Sequence, residues 1–273
     1  MTALTTHAPD RQTADAVEFL MALFEPGDLV LFRFVESWID SDGKAQTRVV
    51  NAETQYVRIG ARVPGGGWQF VRPQLETLIR RLNATAERER ANVFFGVCPR
   101  FGGGGEFDRD WQIRTVRCLW ADLDGISPEA AVAKCDSADL PPASIVVRSG
   151  NGVHLYWMLD NPILLDDYEG DPLPLRTEYT EPDAKTGKRR ARHYFVEPGV
   201  NGRHETRSYL SPATRPDLSE KASEVQDTLS GIAQKIGGDH THDMTRLLRL
   251  PGTMNRKNER NGERPKPSVV WRM

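Results

Sequence analysis

Apolar residues recur every three or four positions in four stretches of this chain, and in several others they run together or alternate. In TADAVEFLMALFE one stripe holds Val17, Leu20, Met21 and Phe24, which predicts a helix. RPQLETLIRRLNATAERER turns Leu75, Leu78, Ile79 and Leu82 to one side and predicts a second. SPEAAVAKCDSAD predicts a third, with Ser127 at the N-cap and Pro128 at the first helical position. SEKASEVQDTLSGIAQKIGG predicts a fourth that stops at its glycines. The runs GDLVLFRFVESWI, ANVFFGVCPR, IRTVRCLWADLD, ASIVVRS and VHLYWML predict strands. A hairpin partner for the first of them is expected near Gln55 to Arg62. MTRLLRLPGTMN closes as a strand or short helix limited by Pro251. The first dozen residues are polar and expected to be loose.

From IRTVRCLWADLD onward the order is β-α-β-β-α-β, the split βαβ pattern of ferredoxin-like or RRM-like sheets. The predicted fold is therefore α+β: an N-terminal α/β module over 1–115 fused to an RRM-like palm over 116–273. In such a palm the first strand is expected to lie centrally. An excursion at about 165–219 interrupts the palm. It holds Pro-containing turns and a predicted hairpin, ARHYFVEP with HETRSYLSP. The tract FGGGGEFD has no Lys-Ser or Lys-Thr after its glycines, so it is not a Walker-type phosphate loop, and it reads as a mobile loop.

Composition narrows the class. No apolar run approaches the ~18 residues of a membrane span, and the N-terminus lacks the basic-then-apolar pattern of a signal peptide. Cys98, Cys118 and Cys135 are odd in number and not spaced in pairs. This argues against a disulfide framework or zinc ribbon and fits a reducing cytoplasm. The net charge of −2 is uninformative, but its distribution is not. Residues 246–273 carry eight Lys or Arg against two Glu, and KTGKRRAR, Lys185 to Arg192, is a second basic run. Such runs suit phosphates as well as solvent.

The candidate chemistry starts at CLWADLDGIS. Asp122 and Asp124 are two apart at a strand end and share a face, where two carboxylates repel unless a cation lies between them. Asp-x-Asp-Gly is also a common turn sequence. The turn RSGNG brings Ser149, Asn151 and His154 nearby, with glycines that let backbone N–H groups approach a ligand. His154 and Tyr156 share one strand face, which reads as a lined site, while Val153, Leu155 and Trp157 take the other. GGDHTHDMTRLLRLPGTMNRK adds Asp239 and Asp243 as candidates for a third carboxylate. It also supplies Arg246 and Arg249, whose planar forks pair with phosphate oxygens. Three carboxylates, a histidine and two arginines fit a two-metal nucleotidyl transfer. In that chemistry Mg²⁺ or Mn²⁺, held by oxygen ligands, activates a 3′-hydroxyl and stabilises departing pyrophosphate.

These motifs together resemble the archaeo-eukaryotic primase superfamily, especially the primase-polymerase domains of phages, plasmids and mobile elements. CLWADLD matches its hhhDhD motif, SGNGVHLYW its histidine strand, and GGDHTHDMTRLLRLPGTMNRK its acidic residue ahead of a basic segment. VFFGVCPR resembles the segment before the first motif. The match runs from about Val93 to Lys257 without the excursion. The resemblance implies a DNA-directed primase or polymerase with two Mg²⁺ or Mn²⁺ ions bound by Asp122, Asp124 and a third acid. Asp239 is the better spaced candidate and Asp243 the reserve. It implies that His154 contacts the phosphates of an incoming NTP or dNTP, helped by Ser149 or Asn151, with Arg246, Arg249 and Lys257 near the triphosphate. Expected partners are single-stranded DNA template and primer, with a helicase or primer-assisting domain on another part of the system, and no membrane.

Two other readings compete. His240-Thr241-His242 has the His-x-His spacing of rolling-circle (HUH-type) initiator nucleases. Those, however, need an apolar middle residue and a catalytic Tyr on a helix. A non-catalytic nucleic-acid-binding module would use stacking aromatics on its sheet, where Asp122 and Asp124 would repel phosphate.

Overall fold

The computed structural model describes residues 10–198, 205–257 and 259–273. It contains four helices: α1 (Arg11–Leu23), α2 (Arg72–Arg88), α3 (Pro128–Ser137) and α4 (Glu220–Ile236). The N-terminal strands are β1 (Leu29–Ile39), β2 (Ala45–Val49), β3 (Gln55–Arg58), β4 (Ala61–Arg62), β5 (Trp68–Gln69) and β6 (Asn92–Gly96). Next come β7 (Thr115–Asp124), β8 (Ile145–Arg148) and β9 (Gly152–Leu164). The excursion gives β10 (Leu175–Tyr179), β11 (Ala191–Pro198) and β12 (Glu205–Tyr209). The chain ends with β13 (Leu247–Arg249), β14 (Met254–Asn255), β15 (Lys266–Pro267) and β16 (Val269–Arg272). Expectations for the first residues fall largely on 1–9, outside the described residues, as does the turn of the β11–β12 hairpin.

The class is α+β. One sheet has the order β13-β6-β1-β2, with β3 also on β1. A second has the order β16-β8-β9-β7. In the second sheet β7 and β8 both run antiparallel to β9, which separates them, so β7-α3-β8 is a split βαβ unit. Two expectations need correction. β7 is not central: it ends its sheet, and the loop after α4 meets its other edge, where the N–H of Asp239 donates to Asp122 O at 2.8 Å. The strand after α4 does not complete this sheet. β13 pairs with β6 instead, Leu248 opposite Phe95 and Arg249 opposite Phe94. With residues 239–241 already on the β7 edge, the chain's next strand takes the open edge of the first sheet.

Each face of the second sheet has its own apolar partners. Ala121, Leu123, Val153, Leu155 and Trp157 meet α3 and the end of α4. Cys118, Trp120, Val147 and Tyr156 face α1 and the first sheet in the main core. Phe19 on α1 links the sheets, edge-on to Phe95 at 5.3 Å and to Tyr156 at 5.4 Å between centroids. Tyr156 is therefore core rather than site lining, because α1 covers it.

Local signals account for most element ends. Asp10 caps α1 by accepting from the N–H of Thr13 at 2.7 Å, and Ser127 accepts from Ala130 at 3.3 Å to cap α3. Gly237, at φ 66°, ends α4 in the left-handed conformation. All three cysteines are buried and unpaired. No helix among the described residues is long and apolar enough to cross a membrane. The FGGGGEFD tract is anchored at its far end: Asp108 accepts from Arg33 at 2.8 Å, Arg100 at 2.7 Å and Tyr56 at 2.7 Å.

Candidate active site

Register builds the centre of the site. Asp122 lies opposite His154, and Asp124 opposite Gly152. Asp122, Asp124 and His154 therefore occupy the face of the second sheet that carries Trp120 and Tyr156, toward the end of β7. A Cβ on Gly152 would stand 2.3 Å from Leu123 O, and one on Gly150 2.7 Å from the Asn255 side chain. These glycines allow close packing against β7 and Asn255.

α4 delivers the next acid. After Gly237 the chain crosses the β7 edge, and Gly238 comes so near that a Cβ there would be 3.0 Å from Asp122 O. The Asp239 N–H bond to Asp122 O fixes that acid beside the pair. Trp120 then donates its indole N–H to Thr241 O at 2.7 Å, which anchors the loop in the core. Asp243 is turned elsewhere: its carboxylate pairs with Arg246 and accepts from Thr245 Oγ1 at 3.3 Å.

β13 supplies the positive charge from the other sheet. Arg249 is buried, stacked 4.9 Å over the Phe94 ring and bonded through Nη1 to Asn92 Oδ1. Asn92 is fully buried. It also donates to Val35 O at 3.0 Å and accepts from the N–H of Arg256 at 2.7 Å. Arg246 is half-buried; it donates to His240 O at 2.9 Å, while its Nε is buried without a partner.

Electrostatics single out Asp122. Its Oδ1 is buried and has no hydrogen-bond partner. Burial, then Asp124 and Asp239, push its carboxyl up to about 7 against the opposing pull of Arg246 and Arg249. His154 Nε2 lies 3.6 Å from that Oδ1, beyond hydrogen-bond reach. Burial, with Arg249 nearby, holds the imidazole down at about 3, so the two do not form an ion pair near neutrality. Burial lowers Arg249 to about 10, with Asp122 and Asp124 opposing; the guanidinium stays charged at neutral pH.

The remaining predicted residues lie around this centre. Ser149 is buried in the turn, where its carbonyl accepts from Asn255 Nδ2 at 3.0 Å. The Asn151 side chain accepts from Lys266 Nζ at 2.7 Å, and its carbonyl from the N–H of Gly125 at 2.9 Å. Lys257 is exposed, two residues beyond Asn255. Asn92, Asn255 and Lys266 escaped sequence reasoning. Each works through a contact more than one hundred residues away, and no local pattern marks such a partner.

The donors around Asp122 are hard oxygens, and the orphaned Oδ1 is the kind of atom a divalent cation satisfies. Among the described residues, no group of three or more His, Cys, Asp or Glu is already drawn together as a metal site. The fold and site thus define an α+β chain with an acidic strand end flanked by arginines from a second sheet. No protein-family model matches the chain, and no curated protein does. Among solved structures it is similar to the AEP domain of the cyanophage S-2L primase-polymerase (PrimPol). The identity is 13% and the TM-score 0.48, over 94% of this chain and 88% of that one.

Proposed function

We propose that this chain is a nucleotidyltransferase, a primase-polymerase that makes or extends primers on single-stranded DNA during replication of a phage, plasmid or other mobile element. One observation carries the reading: Asp122 Oδ1, a buried carboxylate oxygen without a partner, pressed by Asp124 and Asp239 and flanked by Arg246 and Arg249. The three-motif resemblance in the sequence supports it.

Asp122, Asp124 and Asp239 are the residues that would hold Mg²⁺ or Mn²⁺, drawing closer around the ion. Bound there, the metal supplies neutralisation of the carboxylates, activation of a primer 3′-hydroxyl and charge relief for departing pyrophosphate. The protein's own groups do the rest. Arg246, half open to solvent, meets the triphosphate with its fork. Arg249, fixed by Asn92 and Phe94, is a charge that does not move; it lowers the proton affinity of Asp122 from beneath. His154 stays neutral and can offer Nε2 to Asp122 or to a phosphate oxygen once the carboxylates shift. We assign Asn151 and Lys257 to the rim of the site, and buried Ser149 to support of the turn through Asn255.

The nuclease alternative finds no support: among the described residues the four α-helices contain no tyrosine, and Thr241 is buried with its carbonyl on Trp120. The function is tested by incubating the chain with single-stranded DNA, Mg²⁺ or Mn²⁺ and labelled nucleotides, with and without a primer. Incorporation supports the reading; none under either condition contradicts it.

A further inference from the structure

The excursion between β9 and α4 builds a third sheet, β10-β11-β12, whose two faces differ in chemistry. Its inner face packs Leu175 and Phe195 on Trp111 as a small separate core. Gln112 Nε2 tethers it further by donating to Leu173 O at 2.6 Å. Register gives the other face: Arg176 opposite Tyr194, Glu178 opposite Arg192, and Tyr194 opposite Tyr209, with Arg207 two residues before Tyr209.

That outer face is a lattice of rings and guanidinium groups. Arg207 stacks 5.0 Å over Tyr194, Arg192 stacks 5.3 Å over Tyr209, and the two rings stand 5.7 Å apart. Glu178 on this face is engaged at both oxygens, by Arg207 at 3.0 Å and by the Tyr209 hydroxyl at 2.8 Å. Arg176, Arg192 and Arg207 are exposed, and so is Tyr209, at 42%. The β10–β11 turn adds exposed Lys185, Lys188, Arg189 and Arg190 against exposed Glu181 and Asp183, so it stays basic on balance.

An isolated basic surface suits any polyanion. Here the aromatic rings lie between the charges, and a single nucleic-acid strand presents that same alternation: π-faces of unpaired bases between phosphates. A duplex hides its base faces, and an acidic peptide has none. We infer that the outer face of this sheet binds single-stranded DNA, with bases stacked at Tyr209 and phosphates on Arg176, Arg192 and the basic turn. The inference rests on the proposed function only in naming that strand as the template.

The test is fluorescence anisotropy of a labelled oligothymidylate with the full chain, without nucleotides or divalent metal. Tyr209→Ala weakens binding at least about fivefold, the scale of one lost stacking contact, while Tyr209→Phe stays within about twofold of the unaltered chain. Arg192→Ala, on the same face, lowers the slope of log affinity against log salt by roughly 0.7, one phosphate contact on a single strand. It also serves as the second variant if Tyr209→Ala folds poorly. Unchanged affinity in both alanine variants overturns the inference, as does an equal loss on duplex DNA of the same length. Asp122→Asn should bind the oligonucleotide normally. Binding through this face in a chain that incorporates no nucleotide supports the surface and removes the polymerase reading. Incorporation with unchanged binding by Tyr209→Ala and Arg192→Ala removes the surface alone.

Discussion

The backbone N–H of Asp239 donates to the carbonyl of Asp122 across 2.8 Å, which ties an acid at the end of α4 to an acid at the end of β7. The sequence offers Asp239 and Asp243 as alternatives for one role, and this bond holds Asp239 beside Asp122. Asp243 is occupied by Arg246 and Thr245. We therefore expect Asp239→Asn to lower nucleotide incorporation at least about a hundredfold, since a neutral amide is a poor substitute for a charged ligand. Asp243→Asn should keep activity within about tenfold and act mainly on stability. The two variants are compared by initial rates in Mn²⁺ and by thermal melting.

Asp122 gives a pH signature. Its folded carboxyl, at about 7, is raised above the ordinary 3.8. The native state therefore holds an extra proton between those values, and stability from this group is lost as pH rises through about 7. His154 acts oppositely. Its folded value of about 3 lies below the ordinary 6.5, so its contribution is lost as pH falls from 6.5 toward 3. The two offset each other over most of that range, and the difference between variant and unaltered chain isolates Asp122. In chelator, Asp122→Asn should match the unaltered chain near pH 4 and exceed it above pH 7, by on the order of 2 kcal/mol. Denaturant titrations at several pH values read this; a difference that shrinks as pH rises would contradict it.

Asn92 accepts from the Arg249 guanidinium and from the N–H of Arg256 in a fully buried position. Asn92→Ala leaves both donors unpaired and should cost about 1–3 kcal/mol of stability. The apparent KM for nucleotide should rise more than kcat falls, if the loosened Arg249 serves the proposed triphosphate site. A kcat loss with unchanged KM would place Asn92 outside nucleotide binding.

Gly152 faces Leu123 O so closely that a Cβ would stand 2.3 Å away, and 3.0 Å from the Cα of Asp124. Gly152→Ala must therefore move backbone at the acidic strand end. We expect it to lose about 1–3 kcal/mol and most of the activity. Gly231→Ala, in α4 with open space around it, should leave activity unchanged.

Where chemistry was local, the sequence was readable. Helical spacing and caps revealed α1 to α4, and alternation paired Asp122 with Asp124 and His154 with Tyr156, while only the register of β7 with β9 sets Asp122 opposite His154. β2 was missed because Ala45–Val49 is almost wholly exposed and polar, so it carries no core-facing rhythm. β10, apart from Leu175 and half-buried Glu178, is likewise exposed. The pairing of β13 with β6 could not be read, because sheet partners are chosen by which edge remains open after the rest has folded. Tyr156 shares a face with His154, yet Tyr156 meets Phe19 of α1 in the core while His154 lies opposite Asp122.

The central claim is tested most directly by following extension of a labelled primer on a single-stranded template in Mn²⁺, one nucleotide at a time. The unaltered chain should add the complementary nucleotide in preference to the other three. Asp122→Asn, with the fold intact by circular dichroism and oligonucleotide binding retained, should extend at least about a thousandfold more slowly. Extension by Asp122→Asn at the unaltered rate, or no extension by the unaltered chain itself, would contradict the account.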